Sequence, residues 1–444
     1  MRKKAQLVTL CLLCITVVFF TLGCQPQKTT PDSKSAFVTL ERKDGGYFYG
    51  EIDLTQMTHT QMGVEYANAI VAVFPDYEQH VDSMLKDQFD LLAAAKEKIG
   101  YDLNFELCTA RATDIQSNLQ AEYQDEIAGM QTVFSYDQDV LGDGRISQNE
   151  LLVYQLFGDV MRPTQCSGAA AFGDASTTGY TIVGRNLDWD LLQHDDASAM
   201  HTVLYIKDGD QSLVMFNILG SLVPISGYSD DKVFVASLDA ETMAPYPDTS
   251  DKKSYFFDYR YALENSKTLE EAAASLSTES YTMNHLVLMA DENKAQVLEN
   301  NIGSPGRGLR SWDSALQPGI TWGIKDTLAT VNDFRLAGNY ATPEDDPIDD
   351  LRWESYRNNI TNALTTGKID VAKMKAIVGY SGTDGKPVPS GAVFRSDHIP
   401  SIQSMVIRMD TLETWIAFKP SGSNPLNPTY AEVFSENPFT EGQN

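Results

Sequence analysis

Two short stretches decide how this chain folds: QCSG at 165–168 and GRNLDWD at 184–190. Upstream of them, at 57–130 and 147–161, apolar residues recur every three or four positions, which is typical of amphipathic helices. Downstream, β-rich runs alternate with turn residues. The order is helices, then mainly antiparallel strands with helical pairs between them. This order predicts an α+β layered fold.

The downstream elements are predicted from period changes and turn residues. Strands are expected at 179–187, 202–206, 212–218, 232–238, 284–290, 295–299, 401–409 and 413–418, and helices at 255–276, 351–364 and 371–378. Three of the strand pairs are separated by short polar turns and are expected to form hairpins.

The two opening stretches resemble the N-terminal-nucleophile hydrolases that cleave linear amides. That group includes the isopenicillin N acyltransferase, choloylglycine (bile salt) hydrolase and acid ceramidase families. In it, a Cys followed by a small or hydroxyl residue begins the catalytic chain, and a Gly-Arg-Asn-x-Asp or related run follows a β-hairpin. Cys166, Arg185 and Asp188 match those positions. The resemblance covers about 166–418 and implies a four-layer αββα sandwich of two antiparallel sheets.

Further downstream, NHLVLMADENKAQVLE at 284–299 is similar to the family's order of Asn, strand, Asp at the turn and Glu ending the next strand. Asn284 takes the place of the oxyanion-binding Asn, with an ordinary residue at a strand start as the alternative. SYR at 355–357 loosely resembles a later Ser/Arg motif and implicates Arg357, for which a solvated helix residue is the alternative. TVND at 330–333 departs from the family's Thr-Asn-His, so no role is assigned there.

The resemblance implies a chemistry that these residue types can perform. A thiol is a strong nucleophile only as thiolate, so Cys166 needs a base and a positive charge nearby. Cleavage between Gln165 and Cys166 would make the α-amine of Cys166 that base, since its reference pKa is near 8. Asp188 would hold the amine, Arg185 would favour the thiolate or position an acyl carbonyl, and Asn284 would donate to the oxyanion. A regular strand would place Arg185 and Asp188 on opposite faces, so both reach Cys166 only if the strand ends or bulges near Asn186.

The first residues form an export signal, with three basic residues before an apolar run at 7–22 that is short for a membrane span. Gly23-Cys24 at its end resembles a lipoprotein signal, although Thr21 stands where a large aliphatic residue is usual. An ordinary cleaved signal is the alternative. We therefore expect an exported protein of the cell envelope, anchored to the membrane by lipid on Cys24 or else periplasmic or extracellular.

The domain organisation follows from these boundaries. We expect a signal peptide at 1–23, a polar linker at 24–35, a mostly helical propeptide or small chain at 36–165, and the catalytic chain at 166–444. The two self-cleaved chains are expected to stay associated.

Composition excludes one class of partner. Residues 1–23 hold three of the 34 basic residues and none of the 61 acidic ones, so the remainder has a formal net charge of −30. A nucleic-acid partner is not expected for such a chain. Only Cys108 and Cys166 lie beyond residue 24, which is unlike a disulfide framework. Cys108 is expected to be a small core residue.

No cofactor motif or metal-ligand spacing is present, and the six His residues suggest no triad. The segment Asp139–Glu150 matches an EF-hand loop except for Leu141 at its third position. A polar turn before a helix capped by Ser147 and Glu150 is the favoured interpretation.

Two functions remain at this point. The first is a cysteine amide hydrolase that acts on a small N-acyl amide through a Cys166 thioester, with acyl transfer to an amine as the same reaction with another second nucleophile. The alternative is a non-catalytic surface lipoprotein that binds a ligand or calcium through the loop at 139–150.

Overall fold

The computed structural model describes residues 35, 37–99, 102–161, 164–209, 211–240, 242, 248–303, 307–339, 347–382 and 391–440. The signal peptide and Cys24 lie outside the described residues, as does nearly all of the polar linker. No helix among the described residues is long and apolar enough to cross a membrane.

The chain alternates between helical and extended parts. The helices are α1 (His59–Val73), α2 (Tyr77–Ile99), α3 (Phe105–Gln116), α4 (Ala121–Val133), α5 (Gln148–Gln155), α6 (Phe157–Val160), α7 (Asp196–Ala199), α8 (Tyr255–Asn265), α9 (Leu269–Thr278), α10 (Pro347–Thr365) and α11 (Val371–Val378). The strands are β1 (Val38–Lys43), β2 (Tyr47–Asp53), β3 (Thr164–Ala171), β4 (Ile182–Trp189), β5 (His201–Asp208), β6 (Gln211–Ile218), β7 (Ser226–Ser229), β8 (Phe234–Asp239), β9 (His285–Ala290), β10 (Ala295–Asn300), β11 (Gly308–Arg310), β12 (Thr327–Thr330), β13 (Ser401–Arg408), β14 (Thr414–Phe418) and β15 (Ala431–Phe434).

In the described part of the chain the strands form two sheets. One has nine strands in the order β1-β2-β5-β6-β7-β8-β9-β10-β11, and the other has six in the order β12-β3-β4-β13-β14-β15. The sheets face each other through β3 with β8 and β10 with β12. Helices α8 and α9 pack on the larger sheet, and α10 and α11 on the smaller one. The predicted α+β architecture with an αββα layer order is therefore confirmed.

The larger sheet differs from the expected pure antiparallel pattern at one place. Strand β2 pairs with β5 in parallel, with Phe48 opposite Thr202 and Asp53 opposite Lys207. Strand β1 (VTLERK) lies at the edge of the sheet and β2 (YFYGEID) lies between β1 and β5, and neither was predicted from the sequence. Among the described residues, the segment before Cys166 thus contributes these two strands as well as six α-helices.

The loop that resembles an EF-hand performs a structural task. Its Gly142 and Gly144 amides donate to the carboxylate of Asp82 at 2.7 and 2.6 Å. Ser147 and Glu150 form the predicted capping box at the start of α5. Within the described residues, no group of three or more His, Cys, Asp or Glu side chains could hold a metal ion.

Candidate active site

Cys166 lies near the start of β3, which pairs with β4 in the smaller sheet. The two strands pair without interruption, with Cys166 opposite Leu187, Gly168 opposite Arg185 and Gln165 opposite Asp188. Residues directly opposite each other in an antiparallel pair share a face. Cys166 and Arg185 therefore point to the core between the sheets, whereas Gln165 and Asp188 point toward the helices.

The register shows whether β4 ends or bulges near Asn186, as it must if the side chains of Arg185 and Asp188 are both to reach Cys166. Strand β4 stays regular along its whole length against β3, and the irregularity lies in the next strand, between Ser401 and Gln403 of β13. Arg185 and Asp188 consequently lie on opposite faces of the sheet. We call these the thiol face, which carries the Cys166 and Arg185 side chains, and the helix face, which carries Gln165 and Asp188.

On the thiol face, Arg185 contacts the nucleophile candidate directly. Its Nη2 lies 3.1 Å from Cys166 Sγ and donates to the Ser237 carbonyl at 2.9 Å. Arg185 is fully buried, and burial lowers the pKa of its guanidinium, opposed by the nearby thiol. Its Nε and Nη1 atoms have no hydrogen-bond partner within the described structure. A cation in this position favours the thiolate form of Cys166.

On the helix face, an arginine that the sequence analysis missed links Asp188 to the backbone of Cys166. Arg352 Nη2 lies 2.8 Å from Asp188 Oδ2 and 2.9 Å from the Cys166 carbonyl oxygen. Ser401 Oγ donates to Asp188 Oδ1 at 2.5 Å. Burial raises the pKa of the Asp188 carboxyl, and the charge of Arg352 opposes this shift.

An amide side chain holds the main-chain nitrogen of Cys166. Asn332 Oδ1 accepts from Cys166 N at 2.7 Å and from Arg352 Nη1 at 3.1 Å, while its Nδ2 donates to the Asp239 carbonyl at 2.7 Å. In the intact chain, therefore, Asn332 occupies the position expected of Asp188. It lies in the TVND stretch to which no role was assigned.

Arg357 does not occupy the site proposed for it. Its Nε donates to the Trp322 carbonyl at 3.1 Å, and its side chain is 36% exposed. Five residues correspond to about 140° around a helix, so Arg357 and Arg352 leave α10 in different directions. The buried face of α10 carries Asp349, Arg352, Trp353, Tyr356 and Ile360. This spacing was the available signal that Arg352, and not Arg357, points inward.

Asn284 lies just before β9, near the end of β8. Its backbone N donates to Thr242 Oγ1 at 2.7 Å, its carbonyl accepts from Ala240 N at 3.3 Å, and its Oδ1 accepts from Ile302 N at 2.9 Å. These bonds fix the orientation of the amide. Its assignment as an oxyanion donor stays a prediction.

The two cysteines beyond the linker have different environments. Both are buried, and neither forms a disulfide bond with another described residue. Cys108 packs in the core with its Sγ 3.9 Å from the Val160 carbonyl, and burial raises the pKa of its thiol to about 12. Cys166, by contrast, has a guanidinium at its sulfur. Of the two, only Cys166 has surroundings suited to a nucleophile.

Comparison with known proteins gives structural neighbours of one chemical class. An N-acylethanolamine-hydrolyzing acid amidase ortholog from Caenorhabditis elegans is 16% identical with a TM-score of 0.39, covering 55% of this chain and 93% of that one. A conjugated bile acid hydrolase mutant from Clostridium perfringens is 11% identical with a TM-score of 0.37, covering 61% and 93%. Penicillin V acylase from Agrobacterium tumefaciens is 12% identical with a TM-score of 0.31, covering 60% and 86%. No family model and no curated protein matches the chain.

By name, the three neighbours are an acid amidase, a bile acid hydrolase and an acylase. At these identities and TM-scores, the functional argument rests on the geometry at Cys166.

Proposed function

We propose that this chain is an N-terminal-nucleophile amide hydrolase whose nucleophile is Cys166. The observation that carries the proposal is the buried Arg185 guanidinium, 3.1 Å from Cys166 Sγ. The backbone of Cys166 is held on both sides, because Asn332 accepts from its nitrogen and Arg352 donates to its carbonyl. A cysteine fixed at three points beside a cation is prepared for nucleophilic chemistry.

The first reaction is self-cleavage. Cys166 Sγ attacks the Gln165 carbonyl carbon, the bond from that carbon to Cys166 N breaks, and the nitrogen takes the proton from the thiol. The product is a thioester between Gln165 and Cys166. Water then hydrolyses it, which leaves a carboxylate on Gln165 and a thiol and free amine on Cys166.

The second reaction is turnover of a small N-acyl amide. The new α-amine of Cys166 accepts the thiol proton, and Asn332 Oδ1 is already positioned at that nitrogen. The thiolate attacks the substrate carbonyl, the amine product leaves with a proton, and water releases the acyl group. If an amine replaces water in the last step, the same thioester yields acyl transfer.

Contacts between the two parts support the proposal that they stay associated after cleavage. The upstream strand β2 is hydrogen-bonded to β5 along its length. Glu126 of α4 forms a buried ion pair with Arg260 of α8, with oxygen-to-nitrogen distances of 2.5 and 2.8 Å. Asp159 of α6 accepts from Ser254 Oγ at 2.6 Å and from Tyr255 N at 2.9 Å.

Intact-mass analysis of purified protein, with sequencing of any new N-terminus, tests the first reaction. We expect a chain beginning at Cys166 in the parent protein and a single uncut chain in Cys166→Ala. Cys108→Ala is the matched control and should be processed normally. Cleavage of purified Cys166→Ala at the same bond would overturn self-cleavage by this residue.

Trapping of the acyl-enzyme tests turnover. Processed protein mixed with an N-acyl amide and quenched in acid should gain the mass of one acyl group on the Cys166 chain. Loss of about a hundredfold in kcat is expected for processed Asn284→Ala if Asn284 donates to the oxyanion. A near-normal kcat in that variant would show that Asn284 is structural.

We also propose that Cys24 carries a lipid anchor, on the basis of the sequence signal alone. Cys24→Ser should release the protein from membranes or abolish signal processing. Unchanged membrane association of that variant would contradict the anchor.

A further inference from the structure

A small cavity lies next to Trp189, whose side chain is on the thiol face of β4. Its walls are largely apolar and include Tyr154, Phe157, Trp189, Val223, Ile225 and Phe256. Trp189 is two residues beyond Leu187, the cross-strand partner of Cys166, on the same face of β4. Two strand residues span about 7 Å. The cavity therefore begins within the reach of an acyl group bound to Cys166 Sγ.

The cavity has a volume of about 40 Å³. About 10–15 Å³ is enough to hold a group the size of a water molecule, so it has room for about three non-hydrogen atoms. The Phe157 ring stacks on the Trp189 ring, with centroids 5.6 Å apart, and closes one side. The cavity is partly open to its surroundings, and its enclosed volume accommodates a short hydrocarbon chain.

The polar groups around the cavity are satisfied with one exception. Tyr154 OH donates to the Leu219 carbonyl at 2.6 Å. The Gln155 amide donates to the Gly220 carbonyl at 2.8 Å and accepts from Leu222 N at 3.0 Å. Trp189 is only 5% exposed. Its Nε1 is buried and has no hydrogen-bond partner among the described residues. A buried donor without an acceptor is costly for a protein.

We propose that this cavity binds a short acyl group of about three non-hydrogen atoms beyond the carbonyl, with a hydrogen-bond acceptor placed for Trp189 Nε1. The inference rests on the proposed amide hydrolase function and specifies its substrate class. Ether, hydroxyl or oxo oxygens are suitable acceptors. The apolar walls select a compact acyl group, and the indole selects one with an oxygen in its chain.

The cavity is shared by the two parts of the chain. Tyr154 and Phe157 lie in α5 and α6, upstream of the proposed cleavage point, whereas Trp189 and Phe256 lie downstream. Removal of the upstream part after cleavage would therefore open the cavity. The acyl preference belongs to the associated molecule.

The test compares two acyl groups of equal length. Methoxyacetyl and butanoyl amides of one fluorogenic amine differ in one atom, two bonds from the carbonyl carbon. This atom is an oxygen in methoxyacetyl and a methylene carbon in butanoyl. Because that oxygen also activates the carbonyl, the decisive quantity is the change in the kcat/KM ratio between proteins. We expect the ratio of methoxyacetyl to butanoyl to fall about fivefold to tenfold in Trp189→Phe, which keeps the ring and removes the donor.

Trp415→Phe, on β14 and outside the cavity, is the matched control and should leave the ratio unchanged. An equal ratio in the parent protein and Trp189→Phe would overturn the role of the indole. Higher kcat/KM for the octanoyl amide than for both short amides would overturn the size limit.

A second measurement needs no turnover. In ¹⁵N-indole spectra of the processed protein, the resonance that disappears in Trp189→Phe should shift with methoxyacetate and less with butanoate. A shift in a protein that hydrolyses none of the amides would support the cavity and contradict the hydrolase. Normal hydrolysis with no indole shift from either acid would support the hydrolase and contradict the cavity proposal.

Discussion

The two faces of the β3–β4 pair use a buried arginine in different ways. On the helix face, Arg352 is paired with carboxylates, at 2.8 Å from Asp188 and 2.9 Å from Asp349. On the thiol face, Arg185 contacts the Cys166 sulfur, and its Nε and Nη1 have no partner among the described residues. The first arginine neutralises buried charge and holds the backbone, while the second leaves its charge directed at the sulfur.

The difference shows that one strand pair can be contacted by one arginine that stabilises the fold and another that promotes reactivity. A paired buried charge becomes strongly destabilising when its partner is removed. A buried cation without a carboxylate pays a desolvation cost that its removal relieves. Replacement by an apolar residue of similar length should therefore lower the free energy of unfolding at Arg352 and leave it little changed at Arg185.

The largest effect is expected for Arg352→Met. It removes the cation that contacts Asp188 and Asp349, which should lower the free energy of unfolding by about 3–5 kcal/mol. Urea denaturation in the Cys166→Ala background keeps every variant as one chain. Arg357→Met, on the same helix but part-exposed, should stay within about 0.5 kcal/mol. Equal losses in both variants would contradict the assignment of Arg352.

Arg185→Met should damage chemistry and spare the fold. Without the cation, the pKa of the Cys166 thiol should rise and kcat should fall about a hundredfold, which corresponds to about 2.7 kcal/mol. The rate of alkylation of Cys166 by iodoacetamide, measured across pH, reports the thiol pKa. Unfolding in the Cys166→Ala background should be little changed. An alkylation profile identical to the parent profile would remove Arg185 from this role.

Asp159 of α6, which accepts a hydrogen bond from the backbone N of Tyr255, provides a pH test. Burial raises the pKa of the Asp159 carboxyl from 3.8 to about 8, opposed by its hydrogen bonds from Ser254 and Tyr255. The folded state thus favours the protonated carboxyl. The stability that this provides is complete below about pH 4 and is lost as the pH rises toward 8.

Asp159→Asn removes this titration and keeps an acceptor oxygen. Between about pH 5 and pH 8 its free energy of unfolding should fall less than that of the parent by about 1–2 kcal/mol, because the buried charge is partly relieved by relaxation. Urea denaturation at several pH values measures this. Parallel profiles for the two proteins would contradict a neutral Asp159.

The smallest expected effect concerns the helix face at the proposed cleavage point. Arg395 donates to Gln165 Oε1 and is itself held by Asp397 at 2.5 Å. Gln165→Ala and Arg395→Met should each slow processing about tenfold, and the double variant should be no slower than either. Additive slowing would mean that Arg395 acts through the fold and not through Gln165.

The sequence predicted the architecture better than the site. Periodicity located most helices and the three hairpins well, and α11 was predicted with its observed bounds. It missed β3, because the run TQCSGAAA is rich in small residues and has no apolar alternation. Strand β3 is buried between β12 and β4, so its neighbours and not its own propensity make it a strand.

For the site, the motif indicated Cys166 and Arg185, which the structure brings together. Local resemblance selected Arg357, whereas the arginine of α10 that contacts Cys166 is Arg352, because only packing decides which side of α10 points inward. Asn332 could not be predicted, since its contact with Cys166 joins residues that are 166 positions apart. Contacts of this kind form only once the sheets and α10 have assembled.

The parallel pairing of β2 with β5 has a consequence for how the protein would refold after the proposed cleavage. A strand from the first part is built into the sheet of the second, and this arrangement is reached while both belong to one polypeptide. Once the link is cut, a molecule that unfolds must find its missing half by diffusion, so refolding would depend on concentration. At low protein concentration, unfolding of the cleaved molecule would then be irreversible, and its lifetime would be governed by its unfolding rate.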